Sequence, residues 1–310
     1  MIPTYKREIS YLSRAIDSIK KQTHKNTEIV IVDDNTRDSE YRNEVMHFMK
    51  QFSNDTNVIY IMNSKNIGGS LSRNKGINAS TGKYITFLDD DDEYLPNKIE
   101  KQLEFMKEYE CDMSFTDLKL VNENKVVLDY REYNDLKSFD KETLLKYHIM
   151  KHLTGTPTFM YKAEKLKEIG GFEDAKMGQE FYLMLKSIEQ NLKIRYMNEC
   201  FVIAYRHNEG GISQGKNKII GEKALHKFKM KYFHLFTPSE KRFIQFRHYA
   251  VMLIAYKRNK NFLFVLISGL KMILVSPQDF IKEITKFLKN IYKHRRAEKK
   301  NYEFIRKNNK

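Results

Sequence analysis

Four consecutive aspartates, Asp89 to Asp92, close a short apolar run, Lys83-Tyr84-Ile85-Thr86-Phe87-Leu88, and lead into Tyr94-Leu95-Pro96. Carboxylates at contact distance repel one another by several kcal/mol unless a counter-charge sits among them. Hard divalent ions take oxygen ligands and bridge to phosphate, so Mg²⁺ or Mn²⁺ holding a diphosphate would account for the cluster. The same residues would also serve as a solvated acidic turn ahead of a helix starting near Pro96. Their place directly after a strand of buried type favours the metal.

Three further stretches have residue types suited to ligand chemistry. Asp33-Asp34-Asn35 follows another apolar run, where a carboxylate can accept from a base N–H or ribose hydroxyls, or can instead cap the next helix. In Pro3-Thr4-Tyr5-Lys6-Arg7, Tyr5 can stack on a base and Arg7 can approach phosphate; the plain alternative is a loop after a first strand. Asn66-Ile67-Gly68-Gly69 precedes Arg73-Asn74-Lys75-Gly76. Those glycines permit close backbone approach, and Arg73 suits a phosphate or an aspartate. A Walker loop is excluded, because its Gly-Lys-Ser/Thr is missing.

The elements that must hold these residues alternate in type. Leu12, Ala15, Ile16 and Ile19 recur at helical spacing, Glu28 to Val32 reads as a buried parallel strand, and Tyr41 to Phe52 as a helix. Val58 to Ile61 and Lys83 to Leu88 read as strands around a helix from Ser70 to Ala79 that turns Leu71 and Ile77 inward. This order predicts an α/β, Rossmann-like doubly wound and mostly parallel sheet, with ligands in the crevice beyond the strand C-termini. The acidic clusters fall in that crevice. Farther on, strands are expected at 112–121, 125–130 and 201–206, and helices at 141–152, 163–169 and 180–189, with Gly170-Gly171 stopping the second. Beyond Gly215 only helices are expected. Residues 262–275 are strongly apolar, and 279–294 are amphipathic, with Phe280, Ile284, Phe287, Leu288 and Ile291 on one side and lysines on the other.

With 41% hydrophobic and 31% charged residues, the 310-residue chain fits a folded globular protein rather than a disordered one. Its two isolated cysteines, Cys111 and Cys200, exclude a disulfide framework or zinc site and fit a reducing interior. The start, Met1-Ile2-Pro3-Thr4-Tyr5, lacks a secretory pattern, so a cytoplasmic location is expected. Net charge is +15, of which 257–310 supplies +11, from fifteen Lys and Arg against four acids. A basic tail on a near-neutral body suggests a tether to anionic lipid or polymer. Nucleic acid is not an expected partner, since no recognised module accompanies the charge.

Taken together, these stretches resemble the family 2 glycosyltransferases of GT-A fold, of the type that builds bacterial cell-surface polysaccharides. The matching pieces are Ile2-Pro3-Thr4-Tyr5-Lys6-Arg7, Val30-Ile31-Val32-Asp33-Asp34-Asn35-Thr36, Asn66-Ile67-Gly68, Ser72-Arg73-Asn74-Lys75-Gly76-Ile77 and Gly82 to Asp92. Gly170-Gly171-Phe172 and Gly178-Gln179-Glu180 complete the set, which runs in order over roughly 1–214. The resemblance implies a GT-A catalytic domain at 1–214, with about 1–110 binding the nucleotide-sugar and about 111–214 forming the acceptor side and the catalytic base. A basic helical tail would then occupy 215–310.

The resemblance also implies roles. Asp34 would bind uracil, with Pro3 and Tyr5 framing the base, and Arg7, Asn66, Arg73, Asp89 and Asp90 would complete the donor site. Asp91 would hold Mn²⁺ or Mg²⁺, and His207 falls where the family often supplies a metal or diphosphate contact, although a lone histidine is as readily structural. Glu180 inherits the catalytic base. Gln179-Glu180 stands where the family has Glu-Asp, and only Met1 and Ile2 precede Pro3 where the family has a longer apolar strand. Either the first strand is very short or the start lies inside the natural product. The implied reaction is an inverting transfer from a UDP-sugar to a hydroxyl of a cell-surface glycan or lipid-linked acceptor. Thr154 to Thr158 would line the acceptor side. Two alternatives stand beside it: a sugar nucleotidyltransferase, whose Gly-rich phosphate loop is missing here, and an inactive membrane-attached glycan-binding protein. For the tail, 262–300 reads as an interfacial anchor on the anionic inner face of the plasma membrane or as helices packed on the body.

Overall fold

Parallel pairing joins β1 (Ile2–Thr4), β2 (Ile29–Asp33) and β3 (Val58–Met62), with Ile31 opposite both Ile2 and Tyr60. Strand β2 is buried on both faces. Ile29 and Ile31 enter one core with Leu12, Ile16 and Val45, while Val30 and Val32 enter the other with Ile77, Phe115 and Leu183. Double burial is why the run shows no polar alternation. The intervening helices are α1 (Ile9–Lys20), α2 (Glu40–Met49) and α3 (Gly69–Ala79). Helix α1 turns Leu12, Ala15, Ile16 and Ile19 inward, and the Ser39 side chain caps α2 by accepting from Arg42 N at 3.1 Å.

A second sheet is mixed. It contains β4 (Tyr84–Thr86), β5 (Glu93–Tyr94), β6 (Met113–Asn122), β7 (Val127–Arg131), β8 (Met160–Lys162) and β9 (Ile194–Arg206), in the order β4-β8-β6-β9-β5 with β7 on β6. Only β6 and β9 pair in parallel here; the other pairings are antiparallel. Leu88 N donates to Met1 O at 3.0 Å and ties this sheet to β1. The strand expected over 83–88 pairs with β8 only over Tyr84–Thr86, because the Phe87 carbonyl accepts from the Tyr94 hydroxyl and Leu88 turns to Met1. That departure carries the aspartates out past the sheet edge. Around it pack α4 (Lys98–Glu108), α5 (Lys141–Lys151), α6 (Ala163–Glu168) and α7 (Gln179–Glu189). Lys98 is wholly buried, donating to Thr86 Oγ1 with its ammonium 4.1 Å from the Tyr94 ring centroid, and burial holds its amine well below the ordinary range.

The computed structural model describes residues 1–285 except 154, 176, 208–214 and 283, with backbone alone at 215 and 216. The chain divides into two compact units, Met1–Ile212 and Ser213–Lys310. In the second, α8 (Gly215–Met230), α9 (Pro238–Arg258) and α10 (Phe262–Val275) are helical as expected, and helix resumes at Pro277. A capping box starts α9: Thr237 Oγ1 accepts from Glu240 N, and Glu240 accepts from Thr237 N at 2.8 Å. Among the described residues no helix is long and apolar enough to cross a membrane. The boundary expected at 214/215, Thr154 on the acceptor side, and Phe287, Leu288 and Ile291 of the expected amphipathic helix fall wholly or partly outside the described residues.

Candidate active site

The four aspartates meet partners from α3, from β1 and the loop after it, and from β9 and the residue after it. Asp89 Oδ1 lies 2.5 Å from Arg73 Nη2 of α3. Asp90 accepts from Thr4 Oγ1 of β1 at 2.7 Å and from Arg7 Nε at 3.2 Å. Asp91 Oδ2 lies 2.7 Å from Arg7 Nη2 and 3.2 Å from His207 Nε2, which follows β9. Asp92 Oδ1 accepts from Tyr205 N at 3.0 Å. The partners do not neutralise the cluster. Burial, then the charge of Asp91, pushes Asp90 up to about 7 in spite of Arg7. Burial likewise raises Asp91, and lifts Asp92 well above the carboxylate range.

This surplus of buried carboxylate is what a divalent cation relieves. His207 Nε2 is buried and makes no aligned hydrogen bond, although it faces Asp91 Oδ2 at 3.2 Å. Adjacent ligands of an octahedral ion at 2.0–2.1 Å lie about 3 Å apart, so the pair fits one edge of a Mg²⁺ or Mn²⁺ sphere. Arg7 Nη2 is the cation on that oxygen here. Among the described residues no group of three His, Cys, Asp or Glu side chains is arranged to hold a metal ion.

The positions of Arg7, Asp89, Asp90, Asp91 and His207 in the sequence span two hundred residues, and the fold brings them to one turn. Sequence reading missed Thr4, Arg14 and Tyr205 around it. Arg14 of α1 donates to the Asp91 carbonyl and stacks 3.9 Å above the Tyr205 ring centroid. Tyr11 packs edge-on against His207 at 4.9 Å. Nothing in a helical spacing separates such an inward Arg14 from a solvated one. Thr4 had a signal, since it lies between Pro3 and Tyr5 in the quoted loop.

Asp34, expected at the base, has four partners inside the fold. Its Oδ1 accepts from Asn63 Nδ2 at 2.8 Å and Ile67 N at 2.9 Å, and its Oδ2 from Asn66 Nδ2 at 2.8 Å and Gly68 N at 2.9 Å. A carboxylate offers about four lone-pair sites, and these four donors engage them. Asp34 and Asn66 fasten the glycine turn to the end of β2, where Gly68 takes a φ of +87°. Asp33, beside it, is saturated by Tyr60 Oη at 2.6 Å, Arg42 Nε at 2.9 Å and Asn35. Pro3 pairs with Val32 in the sheet, and Tyr5 stays 39% exposed at the strand end, open to a stacking partner.

The Arg73-Asn74-Lys75-Gly76 stretch is a junction. Asn74 Nδ2 donates to the Phe172 carbonyl at 2.7 Å, and Asn74 Oδ1 accepts from Phe172 N at 2.8 Å. Lys75 Nζ donates to Asn63 Oδ1 at 2.7 Å. A Cβ on Gly76 would stand 2.5 Å from Met1 Cγ. Arg73 Nη1 donates to Gln179 Oε1 at 2.7 Å while Nη2 holds Asp89. One guanidinium therefore joins the aspartate turn to the first residue of α7. The next residue is Glu180, half-buried in the first turn, where a helix N-terminus favours negative charge. Gln179, read from the sequence only as a departure, thus has a defined contact.

The family description "Glycosyl transferase family 2" matches residues 1–170. An uncharacterized glycosyltransferase of Methanocaldococcus jannaschii is 32% identical over 207 residues, 66% of this chain and 69% of that one. The putative teichuronic acid biosynthesis glycosyltransferase TuaG of Bacillus subtilis is 29% identical over 70% of this chain and 81% of its own length. Among solved structures, S. aureus TarS in complex with UDP-GlcNAc superposes with a TM-score of 0.56 at 18% identity, over 88% of this chain and 70% of that one. That likeness supports the fold, a GT-A layer followed by helices.

Proposed function

The chain belongs to glycosyl transferase family 2, and from that membership we propose that it moves a sugar from a UDP-sugar to a hydroxyl of a cell-surface glycan or lipid-linked acceptor. The reading further holds that transfer inverts the anomeric carbon and uses Mn²⁺ or Mg²⁺. The observation that carries it is the Arg73 bridge, which sets a half-buried carboxylate, Glu180, one residue from a contact to the aspartate turn. The UDP-GlcNAc named for TarS and the teichuronic acid pathway named for TuaG support the donor and acceptor classes.

Tyr5 would stack on the base, and Arg7 and Arg73 would orient the diphosphate beside the aspartates. Asp91 and His207 would hold the metal, which when bound offsets charge growing on the departing diphosphate. Glu180 takes the proton of the acceptor hydroxyl while that oxygen bonds to the anomeric carbon. The bond from that carbon to UDP breaks on the opposite face, so no sugar-enzyme bond is needed. Glu180→Gln tests the assignment. UDP binding should persist while transfer falls about 10²- to 10⁴-fold, the usual worth of a general base. The parent's product should carry the anomeric configuration opposite to the donor's, read by NMR. Undiminished turnover in Glu180→Gln would overturn the choice of base.

A further inference from the structure

We propose that α10 is an interfacial helix that seats the chain on an anionic lipid surface. Its two sides differ sharply. Ser268 and Met272 are buried, a Cβ on Gly269 would meet Leu253 Cδ1 at an ordinary 3.7 Å, and Phe264 stacks on Tyr256 at 4.9 Å. This side packs on α9. The other side is Phe262, Leu263, Leu266, Leu270, Ile273 and Leu274, exposed by between 41% and 80%. At 100° per residue these six fall within one arc of about 120°, a single continuous apolar stripe. Soluble surfaces scatter exposed leucines singly, and a contiguous stripe marks an interaction face.

Charge selects the occupant. Lys257, Arg258 and Lys260 stand just before the helix, Lys271 flanks the stripe with its ammonium over the Tyr249 ring, and Lys282 follows, 3.8 Å from Asp279. By sequence, ten more Lys and Arg occupy 286–310 against two acids. A protein partner would need an apolar groove ringed by acids, whereas an anionic bilayer presents acyl chains and negative headgroups together at one plane. Each cation close to such a surface raises partitioning roughly five-fold, and the stripe adds the apolar term. Fourteen residues of helix reach about 21 Å, short of the ~30 Å hydrocarbon core, so the helix lies in the interface and does not cross it.

The test uses the full chain and sedimentation with vesicles of phosphatidylcholine, with or without phosphatidylglycerol. The parent should sediment with the phosphatidylglycerol vesicles, weakly with phosphatidylcholine alone, and less in high salt. Leu266→Glu with Leu270→Glu should lower binding about ten-fold or more, while thermal unfolding and transfer to a soluble acceptor stay as in the parent. Three results would overturn the proposal: no sedimentation of the parent, equal binding to neutral vesicles, or equal binding by the double variant. A parent that self-associates without lipid, and becomes monomeric in the double variant, would assign the stripe to a second copy. None of these outcomes bears on the donor site, so the two readings fail separately.

Discussion

Replacing Asp34 by Asn separates a folding role from a ligand role at one residue. The carboxylate holds two fixed backbone donors, Ile67 N and Gly68 N, and two amide donors, Asn63 and Asn66. In the variant one oxygen becomes an NH₂ group. Asn66 can turn its amide to offer oxygen instead, but Gly68 N is fixed at a φ of +87° and loses its acceptor. If the NH₂ replaces Oδ1, Ile67 N is stranded in its place. One charge-assisted bond is lost at about 1.5–3 kcal/mol and the rest weaken, so a loss of about 3 kcal/mol is expected. For a unit of roughly two hundred residues this lowers Tm by about 6–12 °C. Calorimetric unfolding reads it directly, and UDP titration of the folded variant reads the ligand role beside it. A Tm within about 2 °C of the parent, with UDP affinity abolished, would refute the reasoning and return Asp34 to the base pocket.

Three further outcomes follow from other contacts. Arg73→Met should leave the fold in place but lower kcat and raise KM, because the link from Asp89 to Gln179 is lost together with a group that orients the diphosphate; steady-state kinetics checks both, and an unchanged kcat would speak against the link to Glu180. His207→Ala should raise the Mn²⁺ concentration for half-maximal activity about ten-fold and also lower the unfolding temperature, since Nδ1 lies 3.3 Å from Glu123 Oε1 and the ring packs on Tyr11. His226 of α8 stacks on His248 at 4.0 Å, and burial, then His248, lowers its pKa to about 4. Its folded form resists the proton that the unfolded chain accepts near 6.5, so stability is level above that pH and falls between 6.5 and about 4. With part of the ring exposed, the loss is on the order of 1–2 kcal/mol, and His226→Asn should flatten that portion of the Tm profile.

The sequence is most legible where burial is local. Ile29 to Val32 is apolar on both faces because two cores sandwich it, and α1 and α7 keep a helical stripe. Strands β5 and β8 carry only two and three residues, and their existence depends on β9, β4 and β6 far along the chain. No window of sequence holds that information. The same holds at the site. The aspartate run and the Gln179-Glu180 pair stand out as residue types, but what each side chain touches depends on long-range packing. Asp34 reads as an open acceptor until Asn63, Asn66, Ile67 and Gly68 arrive from about thirty residues away. Arg14 carries no signature of its own and acquires a role only when α1 meets the aspartate turn.

Calorimetric titration of UDP into the full chain, with Mn²⁺ and again with EDTA, tests the donor site most directly. Binding should favour UDP over GDP and be at least about ten-fold tighter with the metal, and Asp91→Asn should lose that metal effect. Equal affinity in EDTA, or a metal effect that survives Asp91→Asn, would contradict the assignment of Asp91 and His207 as the cation's ligands.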